Sequence, residues 1–285
     1  MIKENAWAKL NLNLHLLPQK LKNGFYPVKF INCQIDLNDK LLFEEKDKDI
    51  EIVCQHPQIP QQNNLVYKAA FLLKQIVQKP KLGAKITLRK NIPVKSGLGG
   101  GSSDAAATIK GLCRLWQTHL TEQDKHLLAG KLGKDVFYCL KGGLCEINSD
   151  GSCVFSLPFN LPTFWLLIIV PRQEKPSTEW MYKHLEQNKI GENLAKLAKI
   201  KKGIKTKNKS EILNNLFNDF ETLAASFYPV VKKMKEDLEK AGAAKTLLAG
   251  SGLSVVGFYE TEEQALKAKE ELVKIYPQII YAKTK

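Results

Sequence analysis

The sequence predicts an α+β chain folded as two domains. Three observations carry this. The chain has 285 residues, enough for two domains of ordinary size. Segments of period two, such as Leu10 to Leu16, alternate along it with segments of three- and four-residue apolar spacing, such as Ala105 to Trp116. Pro158 and Pro162 then punctuate the chain just before a continuous apolar run, Phe164 to Val170, which reads as a new strand. These place the first domain at residues 1–157 and the second at 158–285.

The first strand holds Leu10 to Leu16, where Leu alternates with Asn and His in the pattern of a half-buried strand. Lys9 enters it from the polar side, and Asn11 shares that face. Asn23-Gly24 is a turn signal, followed by Phe25 and Tyr26. Residues 28–36 and 41–54 read as strands, with Asp36 to Lys40 as the turn between them. Pro57 to Gln62 reads as a loop. Asn63-Asn64 opens a helix to about Val77, with Leu65, Ala69, Leu72 and Ile76 on one face. A short strand, 84–89, leads into Pro93.

Between Pro93 and Ala107 lies the densest signal in the chain. Gly97, Gly99, Gly100 and Gly101 fall within five residues, and glycine lets a ligand approach the main chain closely. Ser102, Ser103 and Asp104 are N-cap residue types. The helix expected from Ala105 to Trp116 has Ala106, Ile109, Cys113 and Trp116 on its buried face. A glycine loop feeding a helix N-terminus aims backbone N–H groups and the positive end of the helix dipole into one concavity, which favours phosphate. A Walker loop would end in Gly-Lys-Ser/Thr, and no lysine follows these glycines. A dinucleotide fingerprint would place an acid about twenty residues on, whereas Glu122 and Asp124 fall in the next helix.

That next helix starts at Thr121, where Asp124 completes a capping box, and runs to about Leu132. Asp135 follows, between a helix end and an apolar run. Gly142-Gly143 turns the chain into a strand at 144–147, and 148–152 is a polar turn. In the second domain, Pro176-Ser177-Thr178 starts a helix carrying Trp180 and Tyr182. Lys196 to Lys209 reads as a solvated linker. Helices are expected at 211–225 and 229–241, then the turn Gly250-Ser251-Gly252, a strand at 254–259, a helix at 261–275 and a last strand to Ala282.

Composition bounds the partners. The net charge is +14, nearly all from scattered lysine, with no Arg-rich run interleaved with aromatics. A solvated basic surface that favours polyanionic small molecules is expected, not a nucleic-acid site. The six cysteines form no C-x-x-C pair and are expected to be reduced thiols in a cytoplasmic protein, with no metal held. The residues around Lys3, Glu4 and Lys9 do not read as a signal peptide, and no apolar run is long enough to span a membrane.

Pro93-x-x-x-Gly97-Leu98-Gly99-Gly100-Gly101-Ser102-Ser103-Asp104-Ala-Ala resembles the phosphate motif of the GHMP kinases. Its Gly-Leu-Gly-Gly-Gly-Ser-Ser form is most similar to the branch that phosphorylates a hydroxyl of a cytidine-diphosphate-linked alcohol in non-mevalonate isoprenoid synthesis. The resemblance implies an N-terminal domain like ribosomal protein S5 domain 2 and a ferredoxin-like C-terminal domain. It implies ATP and Mg²⁺, with Pro93, Val94, Lys95, Ser96, Gly97, Leu98, Gly99, Gly100, Gly101, Ser102 and Ser103 around the ATP phosphates. Lys9, in Ala-x-Ala-Lys-Leu-Asn-Leu, would face the transferred phosphate, although pattern alone reads it as a solvated strand lysine. Asp135, in Gly133-Lys134-Asp135-Val136-Phe137, would be the base. Asn64 would meet adenine, or simply cap its helix.

On the substrate side the resemblance implies Asn11, Phe25, Tyr26, Tyr182 and the Gly250, Ser251, Gly252 turn, with Phe25 and Tyr182 as the two sides of a cytosine sandwich. Ordinary aromatic packing is the alternative for both rings. Tyr26, Lys134, Phe137 and Leu253 depart from the family pattern, which leaves a non-cytidine alcohol open as substrate. A basic RNA-binding protein is the remaining alternative. Neither nucleic acid nor membrane is expected as a partner, and a monomer or weak homodimer is expected.

Overall fold

A computed structural model describes residues 1–22, 26–54, 56, 64–79, 81–185, 190–191 and 193–285. The expected Asn23-Gly24 turn, the stacking residue Phe25, the 57–62 loop and Asn63 lie outside the described residues. The chain forms two compact units, Met1–Lys9 with Leu37–Val94 and Gly99–Gly142, and Leu10–Asp36 with Lys95–Leu98 and Gly143–Lys285.

The first unit contains the start of strand β1 (Ile2–Leu16), the end of β2 (Val28–Asp47), β3 (Ile50–Val53), helix α1 (Leu65–Val77), β4 (Leu82–Arg89), α2 (Gly100–Leu115), α3 (Glu122–Leu132) and α4 (Val136–Lys141). β2 runs antiparallel to β4, with Lys40 opposite Arg89 and Asp47 opposite Leu82, and β3 runs parallel to β4. Leu41, Phe43, Ile86 and Leu88 alternate into the core from this sheet, as the two-residue side-chain period requires. The Trp116 indole closes the far end by donating to the Gly83 carbonyl at 3.1 Å.

Three expectations change here. β2 is one continuous strand, so Asp36 to Lys40 is not a turn. Asp39 is satisfied inside the fold instead: it is fully buried and accepts from the N–H groups of Asn91 (2.5 Å) and Ile92 (2.8 Å). The chain turns at Lys48, which takes φ of 57°, so the 41–54 strand is split there. On α1 the buried face is Val66, Ala69, Ala70 and Leu73, rotated from the expected stripe. The α3 capping box is present as read, with Thr121 Oγ1 and Asp124 each bonded to the other's backbone N–H.

The second unit contains the rest of β1 and β2 with β5 (Cys145–Asn148), β6 (Cys153–Ser156), β7 (Trp165–Ile169), α5 (Thr178–Lys183), α6 (Ala195–Lys205), α7 (Lys209–Asn214), β8 (Phe217–Asn218), α8 (Glu221–Phe227), α9 (Pro229–Lys240), β9 (Lys245–Leu248), β10 (Val255–Tyr259), α10 (Glu262–Leu272) and β11 (Ile280–Lys283). β5 pairs antiparallel with β2 and β6, and β8 lies parallel to β1. A separate antiparallel sheet has the order β11-β7-β10-β9. With α9 before β9 and α10 between β10 and β11, this is the ferredoxin-like order expected. Leu166 to Ile169 and all of β10 are buried, which is what an unbroken apolar strand predicts.

Three more expectations change in this unit. The polar face of Leu10 to Leu16 is buried too. Asn11 donates to Asn32 at 2.6 Å, Asn13 accepts from the Ile31 N–H at 3.0 Å, and His15 stacks on Phe217. The 196–209 segment is not a linker: Leu197, Ile200 and Ile204 form the buried stripe of α6, and the lysines lie on its other face. The helix read at 211–225 is broken into α7 and α8 by β8, whose Asn218 is committed to tertiary hydrogen bonds.

His15 gives this unit a pH dependence. Neither ring nitrogen has a hydrogen-bond partner among the described residues. Burial, with the nearby Lys196 charge, lowers its pKa from 6.5 to about 4. The folded chain therefore keeps His15 neutral where the unfolded chain protonates it, so stability is lost as pH falls from 6.5 towards 4. Urea midpoints across that range should fall less steeply in His15→Leu than in the parent. Equal slopes would remove His15 from the effect.

Candidate active site

In the first unit the sequence-predicted residues converge. Lys9 is buried, and its aliphatic stem lies on the glycine loop: a Cβ at Gly99 would sit 2.8 Å from Lys9 Cγ. Gly99 also takes φ of 72°, so both the contact and the backbone demand glycine. The Lys9 ammonium ends 3.9 Å from Asp135 Oδ2. Asp135 stands at the N-cap of α4, yet its carboxylate does not cap that helix. Its side chain remains 36% exposed, so a reactant can reach it.

α2 begins at Gly100, five residues earlier than expected, so Ser102, Ser103 and Asp104 lie within it and do not precede it. The cap is Gly99, which has no side chain to satisfy the leading N–H groups. The first helical bond is Ser103 N to Gly99 O at 2.9 Å. The N–H groups of Gly100, Gly101 and Ser102 therefore open this 16-residue helix without a side-chain cap, at the positive end of its dipole. Ser103 is different. It is buried, and its hydroxyl donates to the Trp7 carbonyl at 2.7 Å, which ties the loop helix to β1. Asn64 caps α1 by accepting from the Val66 N–H at 2.9 Å, while its buried Nδ2 has no partner among the described residues.

Sequence reasoning missed the support behind this loop. Lys90, just before Asn91-Ile92-Pro93, is bound by Asp39 and, at 2.7 Å, by Asp104, the fifth residue of α2. All three side chains are buried. Burial works against the Lys90 charge, but the two carboxylates more than reverse this and raise its pKa. Burial, reinforced by Asp39, pushes the Asp104 carboxyl well above the usual carboxylate range, against the pull of Lys90. The signal was present in Asp104, read only as a cap type, and hidden in Asp39, read as a turn residue.

In the second unit, residues 95–98 of the loop meet the 249–252 turn backbone to backbone. A Cβ at Gly97 would fall 2.0 Å from the Ala249 carbonyl oxygen, and one at Gly252 would fall 2.8 Å from Gly97 N. Ser96 and Leu98 are buried here, and Lys95 reaches out to Glu174 at 2.6 Å. Asn218, also missed in the sequence, holds the turn by donating to Leu248 O (2.9 Å) and Gly250 O (2.7 Å). Tyr26 is buried with the Lys20 ammonium 5.0 Å from its ring centre. Tyr182 is partly exposed and packs edge-on against Phe220. Asn11 is buried against Asn32.

The family model of the GHMP kinases N terminal domain matches residues 64–143, and that of the GHMP kinases C terminal matches residues 200–278. The chain is 35% identical over 267 residues to a 4-diphosphocytidyl-2-C-methyl-D-erythritol kinase of Macrococcus caseolyticus, covering 93% of each chain. It is 34% identical over 284 residues to the protein of the same name from Thermoanaerobacter pseudethanolicus, covering 99% of this chain and 96% of that one. Among solved structures, a 4-(cytidine 5'-diphospho)-2C-methyl-D-erythritol kinase matches with a TM-score of 0.84 at 26% identity, over 99% of this chain and 98% of that one. The L. major mevalonate kinase in complex with R-mevalonate matches at 0.74 and 16% identity, over 99% and 95%, a likeness of fold alone.

Proposed function

The chain belongs to the GHMP kinase family, whose members use ATP as phosphate donor, and we propose that it phosphorylates the C2 hydroxyl of 4-diphosphocytidyl-2-C-methyl-D-erythritol. The observation that carries the chemistry is the convergence of Lys9, Gly99 and Asp135 in one unit, beside the uncapped start of α2. The substrate comes from the two relatives and the solved structure that carry this name.

Phosphoryl transfer asks a protein chiefly for positioning and charge neutralisation. The N–H groups of Gly100, Gly101 and Ser102 hold ATP phosphate oxygens, and Pro93 to Gly99 shape the loop. Asp135 accepts the proton of the attacking hydroxyl; its support is a carboxylate that caps nothing and stays accessible. Lys9 offsets negative charge on the transferred group. Asn64 receives adenine, supported by its unpartnered buried Nδ2. Asn11, Phe25, Tyr26, Tyr182 and the 250–252 turn serve the cytidine substrate.

Among the described residues no three His, Cys, Asp or Glu are grouped to hold a metal ion. Mg²⁺ would come in on the ATP oxygens and neutralise phosphate charge there. No described helix is long and apolar enough to cross a membrane. A cytoplasmic monomer or weak homodimer that does not bind nucleic acid, with a domain boundary at 157/158, completes the proposal; the two family-model matches fall on either side of that boundary.

The test is an ADP-release assay with Mg-ATP and 4-diphosphocytidyl-2-C-methyl-D-erythritol, with mevalonate and homoserine alongside. Turnover confined to the cytidine substrate is expected. Turnover only on another alcohol would keep the chemistry and overturn the substrate.

A further inference from the structure

Lys175 has an unusual environment. It lies ahead of α5 and is partly buried, and it makes no ion pair with any carboxylate among the described residues. Its ammonium instead meets two hydroxyls, Thr178 Oγ1 at 3.2 Å and Ser251 Oγ at 3.4 Å, and these lie 3.4 Å from each other. The neighbouring acids are committed elsewhere, Glu174 to Lys95 at 2.6 Å and Glu179 to Lys183 at 3.1 Å. A lysine ammonium offers only donors, and a hydroxyl that accepts from it has its own proton left to donate. One hydroxyl proton serves the other hydroxyl, so the ammonium and the remaining hydroxyl proton converge as donors with no acceptor of matching charge.

The cluster is also placed beside the loop. Ser251 belongs to the turn whose Gly252 lies against the Ser96 and Gly97 backbone, and the Lys95–Glu174 pair ties the chain before Lys175 to the same stretch. We propose that Lys175, Thr178 and Ser251 form a subsite for a diphosphate group. The assignment of that group to a reactant of the kinase rests on the proposed function above; the anion site itself does not. Both reactants carry the chemistry, ATP in its phosphate chain and the alcohol in its cytidine diphosphate.

Burial alone pulls the Lys175 pKa from 10.5 to about 8. A bound dianion reverses that cost, because an opposite charge close by favours the ammonium.

Inorganic pyrophosphate titrated calorimetrically into the full chain tests the site. Lys175→Met should weaken binding by about tenfold or more, the range of a charge-assisted hydrogen bond, and Lys175→Arg should retain most of it. In ¹³C-methylated protein the Lys175 resonance should titrate near 8 alone and distinctly higher with pyrophosphate. Unchanged pyrophosphate affinity in a folded Lys175→Met, or a titration blind to pyrophosphate, would overturn the subsite.

The kinetic arm then separates the sources. A raised KM for the cytidine substrate at constant ATP KM assigns the diphosphate to the alcohol, and the reverse assigns it to ATP. No change in either, with pyrophosphate binding lost, overturns the link to the reactants. Absence of turnover on any alcohol would count against the proposed function and leave the calorimetric result standing.

Discussion

Asp135→Asn is expected to lower turnover by about 10²–10⁴-fold, the usual contribution of general acid–base catalysis. The asparagine keeps the shape and cannot take the proton. ATP affinity should stay close to that of the parent, because the loop is built from other residues: Gly99 under the Lys9 stem, the uncapped start of α2, and Ser103 bonded to Trp7. Stability should also barely move. The carboxylate caps no helix, and its ion pair to Lys9 is 3.9 Å long and partly solvated. Single-turnover rates with a nucleotide-binding titration on the same sample decide it. Near-parent turnover would take Asp135 out of the role, and loss of ATP binding would recast it as a loop support.

Lys90→Met is expected to be the most damaging single change to stability, by about 3–5 kcal/mol, the cost of stripping one partner from a buried ion pair. It would leave Asp39 and Asp104 facing each other inside the first unit with no cation between them. The loss should appear as a lower urea midpoint and, since Asp104 follows directly on the Gly100 to Ser103 turn that opens α2, as a raised KM for ATP. Asp104→Asn should be far milder at pH 7, at about 1 kcal/mol or less. The sign follows from linkage. An acid whose folded pKa is raised binds more protons folded than unfolded above the usual 3.8, so its carboxyl stabilises the fold less as pH rises through that value. A neutral amide escapes that penalty. Equal damage from the two variants would show that the Asp104 carboxylate is as essential as the lysine and would overturn this ranking.

The chemistry-bearing parts of this chain were legible because they are local. Four glycines within five residues, and Thr121 with Asp124, each state their backbone conformation in a few consecutive residues. The apolar run at Phe164 to Val170 likewise needs no partner to be read as a buried strand. What only the tertiary structure decided was the fate of polar residues. Asp39 reads as a turn former until Lys90 and two backbone N–H groups, some fifty residues away, take up its charge. Asn11, Asn13 and His15 read as a wet face until β8 and Asn32 cover them. Asn218 breaks a predicted helix because its amide is needed by the Gly250 turn. The physical reason is common to all of them. An apolar side chain gains by leaving water against almost any neighbour, whereas a polar one can be buried only where a specific partner meets it, and that partner lies far off in the chain.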